Sequence, residues 1–330
     1  MEVPELPQRN IVEAINNALV EEMEADPRVM VLGLDVGKLG GVFRTTSGLV
    51  DRYGPERVVD TPLAEASIVG ASLGLAIAGM VPVAEIQFLG FTAQAFHQIG
   101  PQLGKYRQRS RGRYHCQVTI RAPFGGGIKS PEFHSDAVEA QFVQTPGIKV
   151  VMPSNPYDAK GLLIEAIRDP DPVLFCEPDR LYRATRMDVP DGQYTVPFGK
   201  AVPAREGEHV TLVAWSAAVE LCMRAAEQLA GEGVSAAVLD LRTLVPLDVE
   251  GLCAQVVKTG RCVIVHEAPL SAGFGAEVSA TLMEEVFYDL DAPVARVGAF
   301  DVPFPASSLE DYYLPSVDRV VAAVRRTMAS

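Results

Sequence analysis

The stretch Val29-Met-Val-Leu-Gly-Leu-Asp35, followed by Glu65 to Gly79 and then Val81-Pro-Val-Ala-Glu-Ile86, decides the fold class. The first and third runs are short, β-branched and apolar, the pattern of strands buried on both faces. The segment between them carries apolar residues at helical spacing, so the three together read as one βαβ unit. The pattern continues outward, with a helix expected over 92–107, strands over 117–122 and 149–152, a helix over 157–168 and a strand over 173–176. Such alternation predicts a parallel sheet covered by helices.

From Leu181 to Lys200 helical periodicity is lost, and Pro190, Asp191, Gly192 and Pro197 supply turn signals. Alternation then restarts, with strands expected over 209–215, 235–241, 261–266 and 293–297 and helices over 217–231, 248–259, 274–288 and 316–328. The chain is therefore read as α/β with two domains, 1–185 and a smaller 201–330, joined by a linker over 186–200. The length of 330 residues fits two domains of ordinary size or one large one.

Composition narrows the function. With 48% hydrophobic and 22% charged residues, the chain can bury a full core. A net charge of −13 would repel a polyanion, so nucleic acid is not an expected partner. The longest apolar stretch, Ile68 to Val83, is interrupted by Gly70, Gly74 and Gly79 and is shorter than the roughly 20 residues of a membrane span. The five cysteines form no CxxC pair, and the N-terminus runs directly into an amphipathic helix pattern, so a reducing, cytoplasmic setting is expected. No spaced His/Cys/carboxylate set indicates a transition metal, and GxSxG is absent.

Two segments carry candidate chemistry. In Asp60-Thr61-Pro62-Leu63-Ala64-Glu65, Thr61 reads as an N-cap with Pro62 at the first helical position, and Glu65 in the first turn suits the helix dipole. The other reading of Glu65 is a carboxylate at the mouth of a parallel sheet, where ligands of α/β folds collect, poised to share a proton with a ring nitrogen. Spacing leaves both open. Gly125-Gly126-Gly127 precedes a loop carrying His134, a candidate proton donor because imidazole titrates near neutrality, or simply a polar loop residue. The glycine run lacks the GKS/T of a P-loop. Gly70, Gly74 and Gly79 favour close helix packing or a subunit contact, and the basic stretch Lys105 to Arg113 reads as a solvated or interfacial face.

DTPLAEASIVGASLGLAIAGMVPVAEIQF (60–88), RAPFGGGIKSPEFHSD (121–136), PSNPYDAKGLLIEAIRDPDPVLF (153–175), LDLRTLVPLD (239–248) and TGRCVIVHEAP (259–269) together resemble the β subunit of the thiamine-diphosphate-dependent E1 component of 2-oxo acid dehydrogenase complexes. The resemblance runs nearly end to end. It implies a transketolase-like chain, a pyrimidine-binding domain followed by a smaller C-terminal domain, within an α2β2 heterotetramer that acts on a small 2-oxo acid and passes the acyl group to the lipoyl group of an E2 core. The GDG…N element that holds Mg²⁺ and diphosphate in this superfamily is missing here and belongs to the α subunit, which makes this chain half an active site.

By the same resemblance, Glu65 bonds the aminopyrimidine of thiamine diphosphate, Phe91 lies beside that ring, and Gln87 and Phe88 line the pocket. His134 serves proton transfer during acylation of the lipoyl group. A structural potassium ion is implied on backbone carbonyls of Val118, Ala166, Ile167, Asp169 and Asp171. Where several relatives carry adjacent histidines, this chain has Glu132-Phe133-His134. PFGGGI and Phe91 look like pyruvate-type chains, whereas EPDRLYR (177–183) also occurs in branched-chain types, and an acetoin dehydrogenase β subunit shares nearly all of these motifs. A non-catalytic scaffold of the same fold is the reading from a different class; intact Glu65, Phe91 and His134 argue against it.

Overall fold

The computed structural model describes residues 6–131 and 133–330, so Glu132 and the first five residues of the expected N-terminal segment lie outside the described residues. The first half runs β1 (Gln8–Arg9), α1 (Ile11–Ala25), β2 (Val29–Gly33), α2 (Leu49–Tyr53), β3 (Val58–Asp60), α3 (Glu65–Ile77), β4 (Val81–Glu85), α4 (Lys105–Arg109), β5 (Thr119–Phe124), α5 (Glu139–Val143), β6 (Lys149–Val151), α6 (Pro156–Arg168) and β7 (Val173–Pro178). After β8 (Met187–Asp188) come β9 (Val202–Arg205), β10 (Val210–Ala214), α7 (Ala217–Ala230), β11 (Ala236–Asp240) and β12 (Thr243–Val245). The chain ends with α8 (Val249–Thr259), β13 (Cys262–Pro269), α9 (Phe274–Glu285), β14 (Ala295–Ala299), α10 (Glu310–Tyr313) and α11 (Val317–Met328).

The larger sheet has seven strands in the order β12-β6-β7-β5-β4-β2-β3, parallel except for β12. The smaller has five, β14-β13-β10-β11-β9, parallel except for the edge strand β9. Every residue of β2, β4, β5 and β7 is buried, which is why these strands read as near-continuous apolar runs. One hydrophobic cluster runs through both halves, joining Ile86, Ile120 and Leu174 to Trp215, Leu239 and Ile264.

Local chemistry fixes the helix starts. Asn10 caps α1 by accepting from Glu13 N–H at 3.0 Å, and the Glu13 carboxylate accepts from Asn10 N–H at 3.0 Å, a reciprocal box. The α1 face bearing Ile11, Ile15, Ala18 and Leu19 is then buried and packs on α6. The expected Thr61 cap is not formed. Thr61 N–H donates to Gly33 O at 2.9 Å, so the chain is still paired as an extended segment there, and α3 starts at Glu65 with Ala64 as its cap. The helix expected over 92–107 is instead a 3-10 run (Leu89–Ala95), a π run (Gln98–Gly104) and the short α4. Pro101 has no N–H to give the preceding turn, which widens the ladder.

The second half is not separate in its hydrogen bonding. β12 closes the edge of the larger sheet against β6, and the segment expected as a linker pairs β8 with β1 and buries Val189 and Val196. Lys160, fully buried on α6, holds that segment through the carbonyls of Pro190 (2.7 Å) and Gly192 (3.0 Å) and pairs with Glu21 at 2.9 Å. Gly74 and Gly79 have nothing within 4 Å of an added Cβ, so neither serves close packing within this chain.

Candidate active site

The C-terminal ends of β2, β3, β4, β5 and β7 lie side by side, the edge at which parallel sheets gather ligands. Glu65 is there because β3 ends two strands from β4 and α3 begins at once. It is 6% exposed, and among the described residues no hydrogen bond or ion pair engages its carboxylate. From α3 the packing passes to the 89–95 turn that follows β4.

That turn carries the ring cluster. Phe88 is buried and meets His134 edge-on at 4.6 Å between ring centroids, and Phe91 at 5.6 Å. Phe91 in turn meets His134 at 5.1 Å. The loop is drawn onto the turn at Gly90, where a Cβ would stand 2.6 Å from Phe133 O and 3.1 Å from an Asp136 carboxylate oxygen. Thus Phe88, Phe91 and His134, chosen on resemblance, do come together. Gln87 stands at the same edge with its amide 3.5 Å from Asp35 Oδ2, the limit of a hydrogen bond.

The glycine run is a docking surface for the second half of the chain. Gly125 (φ +94°) faces the Glu267 carboxylate, and Gly126 N–H donates to it at 3.2 Å. Gly127 N–H donates to Glu310 Oε1, and Arg180 pairs with Glu267. A Cβ at Gly126 would lie 2.8 Å from Leu314, so close approach of the two halves, not ligand binding, explains these glycines. Burial pushes the Glu267 and Asp179 carboxyls above the ordinary carboxylate range.

Sequence reasoning missed a buried polar chain under the ring cluster. Arg121 donates to Glu85 Oε2 at 2.8 Å and to Glu177 Oε2 at 3.0 Å, and its Nε is ion-paired with Glu177 Oε1 at 2.7 Å. Tyr182 OH donates to Glu177 Oε2 at 2.5 Å, and Thr45 Oγ1 lies 3.3 Å from Glu85 Oε2. All five are buried. Burial raises Glu85 above its usual pKa, only partly opposed by Arg121, while the guanidinium, disfavoured by burial, is held charged by Glu177 and Glu85. The only sequence signal is a single charge within each apolar strand run, VAEIQF, TIRAPF and LFCEP.

The potassium positions are also neighbours. Val118 O accepts from Val173 N–H (3.0 Å), Ala166 O from Asp169 N–H (3.3 Å) and Ile167 O from the Gln117 amide (2.9 Å). Each carbonyl keeps a second lone pair, a donor set that fits a hard monovalent cation. The carboxylates of Asp169 and Asp171 are turned to Lys149 (2.6 Å) and Arg107 (2.7 Å). Arg107 and Arg109, in the basic stretch, are thus engaged within the chain, Arg109 through Gln102 at 2.8 Å.

Residues 8–185 match the family of the transketolase pyrimidine binding domain, and residues 199–320 match that of the transketolase C-terminal domain. A protein of Staphylococcus epidermidis described as pyruvate dehydrogenase E1 component subunit beta is 47% identical over 97% of this chain and 99% of its own length. This chain belongs to the E1 β-subunit family. Its counterpart from Bacillus subtilis is likewise 47% identical over 97% of this chain and 99% of its own. A solved structure titled "Split gene transketolase, inactive beta4 tetramer" superposes on this E1 β chain with a TM-score of 0.78 at 27% identity, covering 98% of it and 99% of that chain. The fold of the E1 β chain is accordingly the two-domain transketolase-like α/β fold. Among the described residues no helix is long and apolar enough to cross a membrane.

Proposed function

We propose that this chain is the β subunit of an E1 component that oxidatively decarboxylates pyruvate and passes the acetyl group to the lipoyl group of an E2 core. The observation that carries the reading is Glu65, a nearly buried carboxylate without a partner among the described residues, on the strand edge that also holds Phe88, Phe91 and His134. The names of the relatives, at 46–47% identity over nearly their whole length, support pyruvate over a branched-chain 2-oxo acid or acetoin.

These residues fit the aminopyrimidine of thiamine diphosphate, a flat aromatic ring with a ring nitrogen that needs a proton partner. When bound, the cofactor supplies the electron sink for loss of CO₂. Glu65 shares a proton with a pyrimidine ring nitrogen, Phe88 and Phe91 wall the ring from water, and Gln87 bonds at the rim. His134 holds a proton where the acyl group leaves for the lipoyl sulfur.

The α subunit of an α2β2 heterotetramer is the proposed source of the Mg²⁺ and diphosphate ligands. Residues 1–185 form the proposed pyrimidine-binding part, 186–200 the connection and 201–330 the C-terminal part. Carbonyls of Val118, Ala166, Ile167, Asp169 and Asp171 are the proposed potassium site, and the cytoplasm is the proposed setting.

Co-expression with an α-type E1 chain, then assay with pyruvate, branched-chain 2-oxo acids and acetoin and an artificial electron acceptor, tests this reading. Turnover fastest on pyruvate is expected; preference for another substrate, or a stable complex with bound cofactor and no turnover, overturns it. His134→Ala in that complex is expected to slow acylation of a lipoyl domain about 100-fold with cofactor affinity little changed. Equal losses of both, measured by stopped flow and calorimetry, would make His134 structural.

A further inference from the structure

We propose that Arg121 is a positioning residue for this site: through Glu85 on one side and Glu177 and Tyr182 on the other, it sets the wall formed by Phe88, Phe91 and His134. The inference rests on the function proposed above. Its basis is a closed circuit of contacts. From Phe88 the path runs to Phe43 (centroids 5.7 Å apart), from Phe43 to Tyr182 (4.9 Å), and by the Tyr182 hydroxyl to Glu177 (2.5 Å). Arg121 then joins Glu177 to Glu85 (2.8 Å), which precedes Ile86, Gln87 and Phe88 in the chain.

The geometry of the circuit is directional throughout. A guanidinium presents its donors in a planar fork, both carboxylates are acceptors only, and the phenol must donate, so each side chain is held in one orientation. Arg121 also grips the start of the turn through its backbone, since its carbonyl accepts from Ile86 N–H at 2.9 Å. On the far side Glu85 meets Gly41 (φ +78°), where a Cβ would stand 2.9 Å from Oε1, so the 35–48 loop that presents Phe43 is seated on the same carboxylate. Displacing any member rotates Phe88 relative to the loop of His134. A shift of about 1 Å at a reacting group is enough to cost up to about 100-fold in rate.

Two variants break the circuit at different links without burying a lone charge. Tyr182→Phe removes only the hydroxyl, and Phe43→Leu removes only the ring. In the α2β2 complex each is expected to lower kcat for pyruvate about tenfold with KM changed less than about twofold. Hydrogen exchange is expected to quicken in peptides covering 86–91 and 133–138 while the Tm moves little. Lys160→Met, which breaks a buried pair elsewhere, is the control: it lowers Tm and spares kcat. Wild-type kcat and exchange in both variants, or a loss of kcat that tracks the fall in Tm across these variants and Lys160→Met alike, overturns the proposal. Exchange needs no turnover, so an inactive wild-type complex would count against the function while the exchange result still decides the role of Arg121.

Discussion

Glu65→Gln, assembled with an α-type chain, is expected to lower turnover about 1000-fold, near 4 kcal/mol of transition-state stabilisation. Glutamine keeps the shape and a hydrogen bond but cannot take up or release a proton at the pyrimidine nitrogen. The backbone geometry should survive, because Glu65 is the first residue of α3 and no contact among the described residues depends on its charge. Cofactor affinity, read by calorimetry, should therefore fall far less than kcat. Turnover within threefold of the wild type would sink the assignment of Glu65. Loss of cofactor binding in proportion to kcat would reduce its task to anchoring.

The parallel sheet was legible because both faces of its central strands are covered, which forces unbroken runs such as Val29 to Leu32 and Val81 to Ala84. Helix starts were legible where a cap sits beside its helix, as at Asn10, and illegible at Thr61, whose conformation is fixed by pairing with Gly33, far away in the sequence. The short β12 carries too few residues to show alternation, and the sheet it joins lies in the other half of the chain. Motif resemblance singled out Glu65, Phe88, Phe91 and His134 as candidates, but the chain of Glu85, Arg121 and Glu177 exists only once β4, β5 and β7 are side by side. Read singly, each of these charges is only an oddity in an apolar strand.

Arg121→Met is expected to destabilise the protein by about 3–5 kcal/mol, the range for breaking a buried ion pair by removing one partner. The loss is not that of the contacts themselves. Met fills most of the volume, but the Glu85 and Glu177 carboxylates, 4% and 0% exposed, are left facing each other with no positive charge between them. Burial already holds Glu85 above its reference pKa of 4.5, and Arg121 is what opposes the rise. Without it the folded-state pKa climbs further, so the folded protein binds a proton that the unfolded chain releases. Stability from such a group is full below about pH 4.5, where both states are protonated, and is lost as pH rises through the folded-state value. The deficit of Arg121→Met should therefore be largest at about pH 7.5 and smaller at about pH 5.5, as read from urea midpoints. Adding Glu85→Gln should recover part of it at the higher pH, since the pair of like charges is gone. A deficit under about 1 kcal/mol, or one that is the same at both pH values, would mean that removing Arg121 leaves no dry pair of like charges behind, and Arg121 could not then be the hub that fixes the wall above it.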